Sequence, residues 1–312
     1  MIAIPIVVVL LIVIYLFVSF YISGSIIHLN RQPVPRNPKD YGMDFEPVEF
    51  KAADGVTIKG WLIPGSTKKL VIMTHVGGLT KYGSTKSYRN PTKLYNKEVE
   101  FLKTAVHFHE TGYSVLMFDF RNHGESSPSP NKGIAGVGLY EYQDVVAALN
   151  LVKGRNDLKD MDIGFVSFCM GANSTIIAMS KQPEAFEKVK CLVAIQPISM
   201  GIFIRTYAKR LFTPFIAALL MPMVKKFVIW RGGAQLEDMS PRDYAKDIKV
   251  PTLYIQARND PWTDLSDIEG FYNDTPEPKA FHWIEDTKHR FESYTYFQDR
   301  PEIVMEWLKK WL

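Results

Sequence analysis

The spacing of apolar and polar residues changes along this chain often enough to divide it. The first 24 residues, MIAIPIVVVLLIVIYLFVSFYISG, carry no charged side chain. A helix of about 20 apolar residues spans a bilayer. A cleaved signal peptide would begin with positive residues and have a shorter apolar core, so residues 1–24 read as an uncleaved anchor. The stretch that follows, RQPVPRNPKDYG, is polar and proline-rich and reads as a stiff linker within residues 25–44.

From Phe45 the periods are those of a folded domain that fills residues 45–312. FEPVEFKAADGVTIKGWLIPG predicts two strands joined at Asp54-Gly55, a hairpin signal. LVIMTHVGG is a continuous apolar run ending in glycines, as in a strand buried on both faces. KEVEFLKTAVHFHETG has helical spacing and stops at a glycine. SVLMFDFRNHGESS starts as a buried strand and breaks into a loop, LYEYQDVVAALNLVKG is a helix, MDIGFVSF a strand and MGANSTIIAMSKQ a helix. VKCLVAIQPIS, TLYIQARND and KAFHWIEDTKH are further strands, the last two separated by a short helix, and RPEIVMEWLKKWL is a closing amphipathic helix. This alternation implies an α/β domain with a mostly parallel sheet and helices on both faces. Residues 201–235 interrupt it. They are apolar with interspersed basic residues, but the uncharged part, Leu211 to Val224, is too short to cross a bilayer and is broken by Pro214 and Pro222. They read as a helical cap, about residues 200–240, over the sheet's C-terminal edge.

Composition narrows the function classes. With 46% apolar and 22% charged residues and a net charge of +4, the chain is ordinary globular material. No basic stripe with interleaved aromatics marks a nucleic-acid partner. The two cysteines, Cys169 and Cys191, make no disulfide framework. No CxxC or HExxH spacing marks a metal, and no cofactor is expected.

Cys169 sits in SFCMG, where a strand runs into a helix. A nucleophile on such a turn takes a strained positive φ, and its neighbours two positions away, here Ser167 and Gly171, have to be small. The helix beginning at Met170 aims its N-terminal N–H groups at the sulfur, which suits a thiolate and supplies one oxyanion donor. The bland reading is a small buried hydrophobe, which is what most free cysteines are. The rest of the constellation argues against it: Asp260 lies in the loop after a later strand and His289 in the loop before the last helix, in the order nucleophile, acid, histidine. Other polar residues nearby read as structural. Asp264 and Asp267 are charges at the start of a helix, and Glu285 and Asp286 belong to a strand or its end. His282 is a packed strand histidine, Asp119 and Arg121 an internal ion pair or loop anchor, and His123 and His75 loop braces. One N–H from the loop after His75, Gly77 by preference and Val76 next, would be the second oxyanion donor beside Met170.

THVGG, DFRNHGES, SFCMGA, RNDPW and TKHRF together resemble the α/β-hydrolase superfamily over roughly residues 45–312. Most members carry serine at the elbow. Cysteine there is similar to dienelactone hydrolases, polyhydroxyalkanoate synthases and bile-acid coenzyme A amino acid N-acyltransferases. The chain departs from the usual pattern at Val76, where glycine commonly follows the histidine, and at Ser167, where the elbow commonly begins with glycine. The resemblance implies the α/β-hydrolase fold and a Cys169–His289–Asp260 triad acting on an acyl ester or thioester, as an esterase or thioesterase. The apolar cap points to a hydrophobic acyl substrate. Acyl transfer through the same cysteine is the alternative, and a non-catalytic binding protein on a hydrolase fold is a third reading, against which the intact triad order stands. Arg31, Arg36 and Lys39 follow the apolar run, so the positive-inside rule places the body in the cytoplasm behind a single membrane span.

Overall fold

A computed structural model describes residues 3–86, 97–285, 287 and 289–312; Asp286 lies outside them. In chain order the elements are α1 (Ala3–Ile27), β1 (Glu46–Lys51), β2 (Thr57–Ile63), β3 (Lys69–Thr74), the two-residue strands β4 (Gly83–Ser84) and β5 (Val99–Glu100), α2 (Phe101–Glu110), β6 (Ser114–Phe118) and α3 (Tyr142–Gly154). They continue with β7 (Asp162–Phe168), α4 (Met170–Lys181), β8 (Val189–Ile195), α5 (Met200–Leu211), α6 (Pro214–Trp230), α7 (Arg242–Ala245), β9 (Thr252–Ala257), α8 (Leu265–Asp274), β10 (Lys279–Ile284), α9 (Glu292–Asp299) and α10 (Glu302–Trp311).

The main sheet has eight strands in the order β1-β2-β6-β3-β7-β8-β9-β10. The β1–β2 hairpin turns at Asp54-Gly55, where Gly55 takes φ 84°, and it joins the sheet through an antiparallel β2–β6 pair. From β6 to β10 every pair is parallel. The apolar runs fall where both faces are covered: every residue of β6 and β9 is buried. α2 buries Phe101, Leu102, Ala105 and Phe108, one face of a helix, and the chain turns off it at Gly112 with φ 85°. The parallel strands end along one edge at Phe118, Thr74, Phe168, Ile195, Ala257 and Ile284. In an open α/β sheet that edge is where ligands bind.

One region differs from the pattern-based reading and another fills it in. The N-terminal helix runs to Ile27, past Gly24, and buries Ile26 and Ile27 against the domain. The segment after it lies on the domain, with Gln32, Pro38 and Met43 buried. The cap is a pair of helices. α5 ends at Leu211; Thr213 then caps α6 by accepting the Ile216 N–H (3.3 Å), and Pro214 takes the first helical position, where its missing N–H costs nothing. α1 packs on α6 side by side and in the same direction. The Tyr15 hydroxyl donates to the Leu219 carbonyl (3.2 Å), Phe20 meets Phe227 edge-on (5.5 Å between centroids), and Arg231 Nε donates to the Ser23 hydroxyl (3.1 Å).

Candidate active site

Cys169 sits between β7 and α4 with φ 50° and ψ −111°. A non-glycine residue held there is strained, and the fold holds it firmly: its N–H bonds the Ile195 carbonyl (2.8 Å) and its carbonyl accepts the Asn173 N–H (3.0 Å). The need for a small residue at position 171 has a different origin from the one expected. A Cβ on Gly171 would lie 2.4 Å from Thr74 Oγ1 and 2.8 Å from the Thr74 carbonyl carbon. The obstacle is the end of β3, not Ser167, whose hydroxyl shares a hydrogen bond with Thr175 (3.0 Å).

The loop after β3 is built by two neutral histidines. His75 donates from Nδ1 to the Val76 carbonyl (2.8 Å) and accepts the Phe120 N–H at Nε2 (3.0 Å). His123 accepts the Gly78 N–H at Nε2 (2.9 Å) and donates from Nδ1 to the Arg121 carbonyl (2.7 Å). Burial pushes His75 down to about 3, helped by the neighbouring His123, and lowers His123 as well. Gly77 is thereby set against Met170: a Cβ there would meet the Met170 sulfur at 3.3 Å. Gly77 and Met170, the two expected oxyanion donors, thus flank Cys169.

Of the two readings of Asp119 and Arg121, an ion pair with each other or loop anchors, the structure has the second. Asp119 holds Lys81 (2.6 Å) and accepts the Lys81 and Glu125 N–H groups, while Arg121 bonds Asp144 (2.7 Å) and Asp54 (2.6 Å). Asp264 caps α8 by accepting the Ser266 N–H (3.0 Å), as its place in the sequence suggests. Asp267 instead reaches back to Ser199, accepting from its hydroxyl (2.7 Å) and N–H (3.1 Å). Glu285 pairs with Arg258 (2.8 Å) and His282 stays in β10.

Asp260 and His289 both lie at this edge of the sheet, but their side chains are not joined. Asp260 is taken up by a residue the sequence reading passed over, Arg290. The Arg290 guanidinium forms a buried ion pair with Asp260 Oδ2, which also accepts from Gln256 (3.1 Å), while Oδ1 accepts the Trp262 N–H (3.0 Å). Arg290 further donates to the Gln196 carbonyl (2.6 Å) and to the Tyr294 hydroxyl (2.8 Å), and both Arg290 and Tyr294 interact with the Cys169 sulfur. Burial alone would lower the Arg290 pKa, but Asp260, then Tyr294 and Cys169, raise it above the ordinary value. The His289 ring lies edge-on to Trp262 (4.9 Å), and its Nδ1 accepts the Phe291 N–H (3.1 Å), which puts the ring proton on Nε2. Among the described residues neither Asp260 nor the Cys169 sulfur bonds that ring. Burial and then the Lys97 charge lower the His289 pKa against the pull of Glu292 and Asp260, so the ring is neutral at pH 7. A forked guanidinium satisfies a buried carboxylate better than an imidazole does. The only sequence signal for it was an arginine directly after the loop histidine.

Above Cys169 opens an apolar cavity of about 790 Å³. Gly77, Cys169 and Met170 are at its floor. Phe203 and Tyr207 of α5, Leu220 and Val224 of α6, and Phe17 and Ile22 of α1 are among its walls. Among the described residues no cluster of histidine, cysteine or acidic side chains is arranged to hold a metal.

Comparison with known proteins agrees with this fold. Residues 94–215 match a family model described as alpha/beta hydrolase fold. The chain is 26% identical over 268 residues to the uncharacterized protein YqkD of Bacillus subtilis, covering 83% of this chain and 79% of that one. It is 27% identical over 158 residues to the polyketide transferase af380 of Aspergillus fumigatus, covering 50% of this chain and 47% of that one. The esterase Pf2001 of Pyrococcus furiosus superposes with a TM-score of 0.66 at 22% identity, over 91% of this chain and 98% of that one. The protein has the α/β-hydrolase fold. Ile4–Ile27 is a helix long and apolar enough to cross a membrane.

Proposed function

We propose that the protein is a membrane-anchored α/β-hydrolase that cleaves a hydrophobic acyl ester or thioester through an acyl-cysteine at Cys169. The observation that carries this reading is the strained Cys169, φ 50°, at the floor of an apolar cavity of about 790 Å³. His289 takes the thiol proton, the sulfur attacks the acyl carbonyl carbon, and the leaving group departs with its bonding electrons and receives that proton. The carbonyl oxygen, negative for that moment, is stabilised by the N–H groups of Gly77 and Met170 and by the dipole of α4. Water then attacks the acyl-cysteine, its proton passes to His289, and the C–S bond breaks to release the acid. For these steps His289 gives up the Phe291 N–H and turns the freed Nδ1 toward the sulfur. Asp260 favours the charged ring through space and holds Arg290 beside Cys169.

Acyl transfer is the second reading, and Arg290 favours it. A thiolate leaving group needs no proton, so exchange between thioesters proceeds beside a fixed guanidinium without a general acid. The polyketide transferase relative points the same way.

The test is intact mass analysis of the full-length protein exposed to acyl-coenzyme A and p-nitrophenyl esters of graded chain length. Expected is one acyl group on Cys169, absent in Cys169→Ser, and its accumulation in His289→Ala, where release is slowed. An acyl group on another residue, or none on any, defeats the proposal. Added amines or alcohols separate transfer from hydrolysis by the product formed. The cytoplasmic orientation rests on Arg31, Arg36 and Lys39, which follow the apolar helix. Protease protection in sealed vesicles tests it; digestion of the body from the opposite side reverses it.

A further inference from the structure

The cavity does not stop at the domain surface. Its outer end is bounded by Phe17 and Tyr21 of α1 and Leu211 at the end of α5, side chains that are 68%, 67% and 50% exposed. A residue that lines a cavity and is also open to the exterior marks the mouth. The mouth therefore lies between the apolar N-terminal helix and the α5–α6 turn.

That turn is itself apolar on its outside. Phe215 and Leu219 are 76% and 54% exposed, while Ala217, Leu220 and Val224 on the opposite face of α6 are buried. Residues 211–224 contain no charged side chain and are bracketed by Lys209-Arg210 and Lys225-Lys226. A helix that is apolar on every side belongs in a core or in lipid, and α6 has no further protein layer over this face among the described residues. Because α1 and α6 run in the same direction, with Tyr15 beside Leu219, the first turns of α6 stand at the depth of the middle of α1. From Pro214 to Val224 the rise is about 15 Å at 1.5 Å per residue. That is about half of a hydrocarbon core of roughly 30 Å, so the tip is suited to one leaflet, with Lys225-Lys226 at the headgroups and Lys209, one turn before the tip, within electrostatic reach of Asp264 on the body.

We propose that the α5–α6 tip dips into the bilayer beside α1, and that the cavity is a lateral port through which the chain of a membrane-resident long-chain acyl ester or thioester passes from the lipid to Cys169. The port rests on the acyl-cysteine reading above; the depth of the tip does not. The acyl chain stays in an apolar surrounding along the whole path, from lipid to the α1, α5 and α6 walls. Only its carbonyl reaches the polar floor at Cys169.

The test uses the full chain reconstituted in phosphatidylcholine–phosphatidylglycerol vesicles and has two readouts. For depth, Cys169→Ser/Phe215→Cys is labelled with an environment-sensitive fluorophore, Cys191 being buried. Quenching by nitroxide-bearing lipid and protection from iodide are expected; quenching by iodide overturns the proposal. For the port, Phe215→Asp/Leu219→Asp, neither residue lining the cavity, is assayed on vesicle-bound palmitoyl-coenzyme A and on soluble butyryl-coenzyme A. Two carboxylates in hydrocarbon oppose insertion by several kcal/mol, so palmitoyl turnover is expected to fall about tenfold or more while butyryl turnover is unchanged. Equal losses on both substrates, or none on either, overturn the port. A lipid-quenched tip with no Cys169-dependent turnover of either substrate defeats the acyl-cysteine reading and leaves the insertion of the tip standing.

Discussion

Cys169 and Cys191 are chemically the same side chain placed by the same sheet in opposite circumstances. Cys191, the third residue of β8, has no exposure, and burial pushes its thiol up to about 12. Cys169 is 6% exposed and faces a cavity. Iodoacetamide on the full chain is therefore expected to modify Cys169 well before Cys191, read by peptide mass; equal rates would mean that the elbow thiol is not accessible. Gly171→Ala should change that rate and cost about 1–3 kcal/mol, because the added methyl forces the end of β3 or the elbow to move. Position 169 was legible because a positive-φ turn restricts the residue types around it. Arg290 was not, because nothing in a linear sequence says which of two adjacent side chains will reach a buried carboxylate. His289, neutral and with its pKa lowered, should keep its base form below pH 6.5. The acid limb of the kcat/KM profile should therefore fall below that pH and vanish in His289→Ala.

Among the elements, strands and helices with clear patterns lie where those put them: β3 as a continuous apolar run, β7 and β9 as strands, and α2, α3, α4 and α10 as helices. The short α7 and α9 went unseen, having too few turns to show a period. What fastens the elements together is also hidden from pattern. Arg121 joins the loop after β6 to Asp144 of α3 and to Asp54 in the β1–β2 turn. Burial pushes Asp144 up to about 6 even with Arg121 beside it. Arg121→Leu should cost about 3–5 kcal/mol by leaving that carboxylate without its cation. Adding Asp144→Leu should recover most of the loss, as measured by urea unfolding in detergent micelles. A single variant that unfolds like the parent would show that the carboxylate is not what the arginine is for.

For the molecule as a whole, acid is the weak point. His75, at about 3 in the fold against an ordinary 6.5, and His123, also lowered, take up protons on unfolding. Their contribution is complete above pH 6.5 and is lost as the pH falls toward 3, at about 1.4 kcal/mol per pH unit for His75. Asp144 works the other way between about 6 and 4, but one carboxyl does not offset two buried imidazoles. The urea midpoint should drop steadily from pH 6.5 to 5, and a flat profile would mean that the histidines are not buried neutral. The sheet, the cap and the apolar helix at the N-terminus were each readable from the chain. Their assembly was not, since α1 and the first three turns of α6 are apolar all round and neither advertises the face it packs with.

The side-by-side packing of α1 on α6 changes what that first helix is. An anchor in the ordinary sense is a tether, and cutting a tether frees the same machine to work in solution. Here Phe17 and Ile22 are wall, and Arg231 of the cap is fastened to Ser23. A chain begun after Ile27 would thus lose one side of its own chamber. Such a fragment would be a gutter where the whole protein has a pipe, accepting chains of many shapes at its open flank. Whatever selectivity is measured on it would describe the cut and not the enzyme.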